Sequence, residues 1–402
     1  MLKIALLGLP YESGNKGCEA LTYSFLEILN IIAKNRNEKL EVGVLTTLPL
    51  KKWIKSGFRT KRISSLSMPK IEYSHLSFTT YFYRNIKGKY IFFNDFKHCS
   101  CVFDFTAGDS FTDIYGEERF YTRTKLKQAV IDSGIPLVLG SQTIGPFNDP
   151  EVAAFASNVI KEAYEVYVRD KLSYDYTLKL TGRESVLTSD VAFMLPYEER
   201  KRESKEFNVG FNPSGLLWSG GYSRDNQFGL KVDYQRFCKD VIGKLISDGK
   251  RVHLIPHAVS ADKNFPDNDM IAVDELHAIF PETIKVAALN TPMEIKSYIS
   301  GMDIFIGARM HATIGALSVG TPVIPFSYSR KFEGLFNSLD YEYVINGREI
   351  ETDSAVNKTL SWIDNISELQ KALDLSREII NKKNVMLIDS LTMLLNKLDC
   401  NK

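Results

Sequence analysis

The sequence predicts an α/β protein of two Rossmann-like domains facing a cleft, with a C-terminal helix crossing back. Three observations lead there. Short, continuous apolar runs alternate with amphipathic helical stretches along the whole chain, the pattern of doubly wound parallel sheets. At 402 residues the chain exceeds the size at which one hydrophobic core stops growing. A polar, charged run, "YEERKRESKE" at 197–206, divides the pattern near its middle. The expected domains are therefore 1–200 and 201–402.

In order, "LKIALLG" (2–8) reads as a strand buried on both faces, and "GCEALTYSFLEILNIIAK" (17–34) as a helix. "LEVGVLTT" (40–47), "CVFDFTAG" (101–108) and "IPLVLGSQTIG" (135–145) are further strands. A helix closed by Gly134 lies between the last two. "EVAAFASNVIKEA" and "YEVYVRD" add a helix and a strand, completing the first domain. The second opens with the strand "FNVGFNPSG" (207–215), then a helix near 232–248 and the strand "RVHLIPH" (251–257). "MDIFIGAR" and "TPVIPFS" are strands flanking the helix of "GARMHATIGALSVGTP" (307–322), and an amphipathic helix at about 366–398 ends the chain.

A net charge of +1 argues against nucleic acid as partner. Five cysteines (Cys18, Cys99, Cys101, Cys238, Cys400) without zinc-like spacing fit free thiols in a reducing cytoplasm. The apolar start is too short for a signal peptide, and no run reaches the length of a membrane span. Residues 51–98 break the neutral balance, with eleven Lys and Arg against Glu72 and Asp95, interleaved with aromatics such as Trp53, Phe58 and Tyr81. This segment is either a solvated surface with inward aromatics or a patch resting on an anionic membrane.

Ligands of open parallel sheets bind beyond the carboxyl ends of the strands, where the unusual polar residues fall. In "LPYESGNKGCEAL", Gly14, Asn15 and Gly17 form a turn opening into a helix, whose backbone N–H groups either close the turn or face an oxygen-rich ligand. "DFTAGDSFTDIYG" (104–116) gathers Asp104, Asp109, Ser110 and Asp113, suited to sugar hydroxyls, to a metal ion, or to plain capping. Arg169 ends a strand where a guanidinium would match a carboxylate or phosphate, unless it forms a structural ion pair. Asp170 reads as a helix cap and His253 as a core residue, whereas His257 stands at a strand end with Asp267 and Asp269 close behind. That set is too small to specify a metal site. Arg309 and His311 enter a helix N-terminus, and Arg330 and Lys331 follow the next strand. These converging cations suit a small ligand with two anionic groups.

Together, "GNKGCEAL", "DFTAGDSFTDIYG", "QTIGP", "YVRDKLSYDY", "SDVAFMLP", "GFNPSG", "IPH" and "GARMHATIGALSVGTPVIPFSYSRKFEGL" resemble the polysaccharide pyruvyl transferase family over nearly the whole chain. Cys18 stands where many members have Asp, so no acid role is assigned to it. The resemblance implies a GT-B-like fold and phosphoenolpyruvate as donor, with no cofactor. The product would be a pyruvate ketal, commonly across O4 and O6 of a hexose. It implies Arg169, Arg309 and Lys331 as partners of the donor anions and His311 as acid and base. Asn15, Asp109, Ser110, His257 and Arg330 complete the expected substrate contacts. If the glycan acceptor is lipid-linked, the enzyme works at the inner face of the membrane and residues 51–98 dock it there. The competing expectation is a nucleotide-sugar glycosyltransferase of the same architecture, with Glu333 as its ribose contact. A glycan-binding protein with a decayed site is a third.

Overall fold

A computed structural model describes residues 2–10, 13–44, 71–74, 84–86, 89–91, 99–201 and 205–400. The apolar runs of the first half become seven parallel strands: β1 (Lys3–Leu7), β2 (Leu40–Val44), β3 (Ile71–Ser74), β6 (Cys101–Asp104), β7 (Leu137–Gln142), β8 (Glu165–Val168) and β9 (Val186–Leu187). Their order is β3-β2-β1-β6-β7-β8-β9. A separate antiparallel pair, β4 (Arg84–Ile86) and β5 (Lys89–Ile91), lies in the basic segment. The side chains of 51–98 lie outside the described residues, and with them the expected membrane-facing patch. Helices α1 (Lys16–Asn35), α2 (Glu117–Asp132), α3 (Pro150–Glu162) and α4 (Lys171–Thr181) alternate with these strands.

The second half repeats the scheme with β10 (Asn208–Asn212), β11 (Arg251–Leu254), β12 (Ile284–Lys285), β13 (Ile304–Gly307), β14 (Val323–Ser327) and β15 (Ile345–Asn346). All are parallel, in the order β12-β11-β10-β13-β14-β15. This is the strand order of dinucleotide-binding sheets, with its reversal between β10 and β13. The helices are α5 (Gly215–Trp218), α6 (Tyr234–Ser247), α7 (Asp269–Ile279), α8 (Pro292–Ser300), α9 (Met310–Val319), α10 (Arg330–Asn337), α11 (Thr352–Asp364) and α12 (Ile366–Cys400).

Two compact units result. One contains Met1–Tyr11, Leu21–Val191 and Lys383–Lys402, the other Glu12–Ala20 and Ala192–Lys382. The end of α12 thus returns to the first unit, where Asn384 accepts from Ser189 and Ser390 bonds the Tyr167 hydroxyl at 3.0 Å. Residues of the first β–α loop join the second unit. All five cysteines are free thiols. Among the described residues no helix is long and apolar enough to cross a membrane.

Central strands are fully buried: every residue of β6, β7, β10, β13 and β14 lies inside. Burial on both faces explains why they read as unbroken apolar runs rather than alternating ones. The structure trims two of them. The expected strand 135–145 ends at Gln142, because Thr143 and Gly145 donate to the carbonyls of Gly108 and Phe111 instead of continuing the ladder. The expected strand 101–108 ends at Asp104, whose carboxylate accepts from the Thr106 hydroxyl and pairs with buried Lys127 at 3.1 Å. The chain then turns through Thr106, Ala107 and Gly108, all at positive φ.

The expected cap at Asp170 is present: its carboxylate accepts from Ser173 N at 2.7 Å, and from the hydroxyls of Thr143 and Ser173, while 2% exposed. Replacing Asp170 by Ala should destabilise the protein by about 1–2 kcal/mol, read from the denaturation midpoint.

Candidate functional site

In the second unit the carboxyl ends of β10, β11 and β13 meet where the strand order reverses, and one buried carboxylate holds their loops together. Asp269, at the start of α7, is 0% exposed. Its Oδ1 accepts from Gly215 N at 2.9 Å and from Arg309 Nε and Nη2 at 3.0 and 2.6 Å. Its Oδ2 accepts from the backbone N–H groups of His257 and Ala258, both at 2.9 Å. Asn212, ending β10, accepts from Arg309 N at 3.1 Å through its side-chain oxygen and donates to Ile255 O. The Arg309 Nη1 and Nη2 groups also reach Asp267, at its carboxylate and its carbonyl.

Arg309 was expected to meet a ligand anion. Instead all three of its guanidinium nitrogens turn to Asp267 and Asp269. A buried guanidinium requires that compensation. Its outward reach is correspondingly spent. The Asp267 carboxylate also accepts from the hydroxyl of half-exposed Tyr222, whose pKa is raised by burial and then by Asp267.

Two residues beyond Arg309, half-buried His311 sits in the first turn of α9. Against it lies the first β–α loop. Lys16 N donates to His257 O at 3.1 Å, Val259 N donates to Gly14 O at 3.0 Å, and Asn15 bridges to Ala258. A Cβ on Gly17 would stand 2.6 Å from His311 Nδ1, so the imidazole packs on bare backbone. Gly14 lies at φ +78°, with Val259 O where a Cβ would go.

The N–H groups of this loop, which could have faced a ligand oxygen, are spent internally. Glu19 Oε1 accepts from Ser13 N and Gly14 N at 2.9 and 3.0 Å, and its Oε2 from Lys16 Nζ at 2.9 Å. Asn15 Oδ1 accepts from Gly17 N and Cys18 N at 3.0 and 3.4 Å, which makes Asn15 the N-cap of α1.

Behind His311 a small cavity is lined by His257, Lys296 and the apolar residues Ala20, Leu195, Ile299 and Ala312, among others. Burial first, then the neighbouring His311, Arg309 and Lys16, hold the His257 imidazole well below the ordinary histidine range. It is therefore neutral near pH 7. Lys296, on α8, is 3% exposed; its Nζ donates to Leu195 O at 2.7 Å and Phe193 O at 3.4 Å. Burial pushes its ammonium down to about 7. Lys331 and Arg330 open α10 at the end of β14, both half-buried, with the Lys331 ammonium 5.6 Å from the Tyr328 ring centre. Glu333 accepts from Asn346 Nδ2 at 3.1 Å.

The remaining expected residues lie in the first unit. Arg169 is 1% exposed, with Nη1 on Asp190 at 2.6 Å and Nε on Thr143 at 2.9 Å. The ion-pair alternative thus describes it, although its Nη2 is buried without a hydrogen bond. Asp109 accepts from Tyr115 Oη at 3.1 Å, Ser110 accepts from Arg119 Nη2 at 3.0 Å, and Asp113 accepts from Asn148 N and Asp149 N. The acidic loop is therefore tied down by hydrogen bonds to its own surroundings rather than by helix capping; Gly116, not an acidic side chain, is the N-cap of α2. His253 is a core residue, bonding Tyr298 Oη at 2.8 Å and Asn208 Oδ1 at 3.0 Å. Among the described residues no group of three His, Cys, Asp or Glu side chains is arranged to hold a metal ion.

Sequence reasoning missed Asp269 as the hub, Glu19 as the loop anchor, and Lys296. Only the last carries a local signal. In "PMEIKSYIS" it is spaced three residues before Ile299, on the buried stripe of its helix, where a lysine is out of place.

Comparison with known proteins adds family and fold. The family model of polysaccharide pyruvyl transferase matches residues 15–330. A relative, the amylovoran biosynthesis protein AmsJ of Erwinia amylovora, is 20% identical over 95% of this chain and 98% of its own. Anabaena HepE, solved in complex with UDP, is 11% identical with a TM-score of 0.54, covering 99% of this chain and all of its own. MnaA of S. aureus, also solved with UDP, is 11% identical with a TM-score of 0.58, covering 98% of this chain and 97% of its own. Such likeness shows the fold, which is GT-B-like as expected.

Two outcomes follow from this geometry. Replacing Asp269 by Ala leaves Arg309 only partly compensated and frees three backbone donors, so unfolding stability should fall by about 3–5 kcal/mol in denaturant titration. The Lys296 ammonium is less basic folded than unfolded (about 10.4), so its charge opposes folding. That penalty is complete below about pH 7 and fades as pH rises toward about 10.4. The stability of the wild type relative to Lys296→Met should therefore increase between pH 7 and 10.

Proposed function

Because the chain belongs to the polysaccharide pyruvyl transferase family, we propose that it moves pyruvate from phosphoenolpyruvate onto two hydroxyls of a sugar. The sugar is a hexose of a cell-surface polysaccharide precursor, taken as a 4,6-ketal. The observation that carries this reading is the placement of His311: first turn of a helix, at the strand-order reversal, beside the neutral imidazole of His257.

Ketal formation needs one proton delivered to the methylene carbon of the donor, which makes its central carbon electrophilic. The first sugar hydroxyl then adds and loses its proton. The C–O bond to phosphate breaks, phosphate leaves, and the second hydroxyl closes the ring with loss of its own proton. His311 supplies and receives these protons, because imidazole exchanges them near neutral pH. Lys331 and Arg330, at the neighbouring helix N-terminus, face the donor's carboxylate and the departing phosphate. Arg309 and Arg169 act by holding the strand-end loops in place, since their own charges are met within the protein. The acceptor is lipid-linked, and the basic aromatic segment 51–98, whose side chains lie outside the described residues, brings the enzyme to an anionic membrane surface.

Incubation with phosphoenolpyruvate and a galactoside should release phosphate and yield the ketal by NMR. UDP-glucose in place of phosphoenolpyruvate is the comparison for the glycosyltransferase reading. UDP-sugar consumption without ketal formation would reverse the assignment. His311→Ala should lower kcat by about 100-fold or more with the fold intact. Lys331→Ala should mainly raise KM for phosphoenolpyruvate. Neutralising Lys51, Lys52, Lys55, Arg59, Lys61 and Arg62 should release the protein from anionic vesicles in sedimentation. Unchanged binding would refute the docking role.

A further inference from the structure

Lys296 is a buried cation that the proposed reaction does not use. Its surroundings set it apart from Lys127, the other buried lysine among the described residues, which faces the carboxylate of Asp104. The Lys296 ammonium is held by two backbone carbonyls, of Phe193 and Leu195, and lies 5.0 Å from the Tyr197 ring centre. Its stem crosses α9 at Gly315, where a Cβ would already touch Lys296 Cγ at 4.0 Å. Gly315 is four residues after His311, on the same face of that helix. The stem therefore runs over the surface that carries His311, and the side chain lines one small pocket with His257 and His311.

We propose that Lys296 is a positioning residue: its side chain lines that pocket with His257 and His311, and its charge sets the proton affinity of the imidazole pair. The inference rests on the reading of His311 as acid and base only for its catalytic consequence. The physical basis is the low dielectric of an apolar enclosure, in which a nearby cation opposes forming a second cation. The other cations near His257, Lys16 and Arg309, also lower the proton affinity of its imidazole, although each has a carboxylate partner of its own. Lys16 pairs with Glu19, and Arg309 with Asp267 and Asp269. On α8 itself, Glu294 is occupied in the capping box with Thr291. Burial makes the Lys296 charge itself responsive near neutrality, since its ammonium is pushed down to about 7.

NMR titration of ring-labelled histidines in the full-length protein tests this without substrate. In Lys296→Met at least one of His257 and His311 should titrate higher by about half a pH unit or more. Lys296→Arg, which keeps a permanent charge, should leave both at or below their wild-type values. Both histidines titrating in Lys296→Met as in the wild type would overturn the proposal and reduce Lys296 to a clamp on residues 193–195. Should the variants fail to fold, the wild type decides. Coupling to Lys296 requires a broadened or biphasic histidine curve over the range in which the lysine Cε resonance titrates. Single-site curves for both histidines would refute it. With activity as readout, Lys296→Met should move the pH limb governed by His311 upward. A His311→Ala protein that still forms ketal would remove the acid–base reading while leaving the histidine–lysine coupling intact, so the two failures are distinguishable.

Discussion

Everything at the candidate site depends on the buried pairing of Arg309 with Asp269. One carboxylate, wholly inside, ties the loop after β10 through Gly215, the loop after β11 through His257 and Ala258, and the loop after β13 through Arg309. Such a pair contributes little net stability, because desolvating both charges offsets their attraction. What it supplies is geometry. Three strand ends are locked in one relation, and His311, two residues from the pair, inherits that rigidity. A site built this way would hold the proposed acid–base group, His311, without spending a hydrogen bond from the substrate.

The first β–α loop shows the same economy in backbone groups. Glu19 and Asn15 absorb the N–H donors of Ser13, Gly14, Gly17 and Cys18 that would otherwise point outward. The loop is thereby stiff enough for Gly17 to serve as a flat wall for the imidazole. Its glycines matter for what they leave out. Gly14 accommodates a left-handed turn beside Val259 O, and Gly17 leaves space that His311 fills. A motif suggestive of phosphate binding thus acts on the second unit's own histidine.

Charge is distributed unevenly around that histidine. The guanidinium and the Lys16 ammonium have carboxylate partners, whereas Lys296 has carbonyl dipoles and the face of the Tyr197 ring. Dipoles solvate a cation less well than a carboxylate does, which is why burial lowers its proton affinity so far. On α9, Gly315 faces the lysine stem and Ile299, and a Cβ there would stand 4.0 Å from each, in ordinary van der Waals contact.

Much of the fold was legible in the chain because its causes are local. Burial on both faces writes continuous apolar runs for β1, β6, β10, β13 and β14, and amphipathic spacing writes the helices between them. Asp170 announced its cap, and the pairing of a strand end with "RMHAT" placed a histidine at a helix entrance. The short strands β3 to β5 escaped notice, being three or four residues long in a lysine-rich stretch. What remained hidden was which charges face each other. Arg309 and Asp269 lie forty residues apart and Arg169 and Asp190 twenty-one, with nothing local to mark either pair. Periodicity reports backbone conformation and burial residue by residue. Pairing at strand ends is decided by strand order and crossover packing, which bring distant loops together only in the folded sheet. The sequence by itself determined that a cation and a histidine stand at a helix mouth. The tertiary structure decided that the cation answers inward to Asp267 and Asp269, because a buried charge must be met where the fold encloses it.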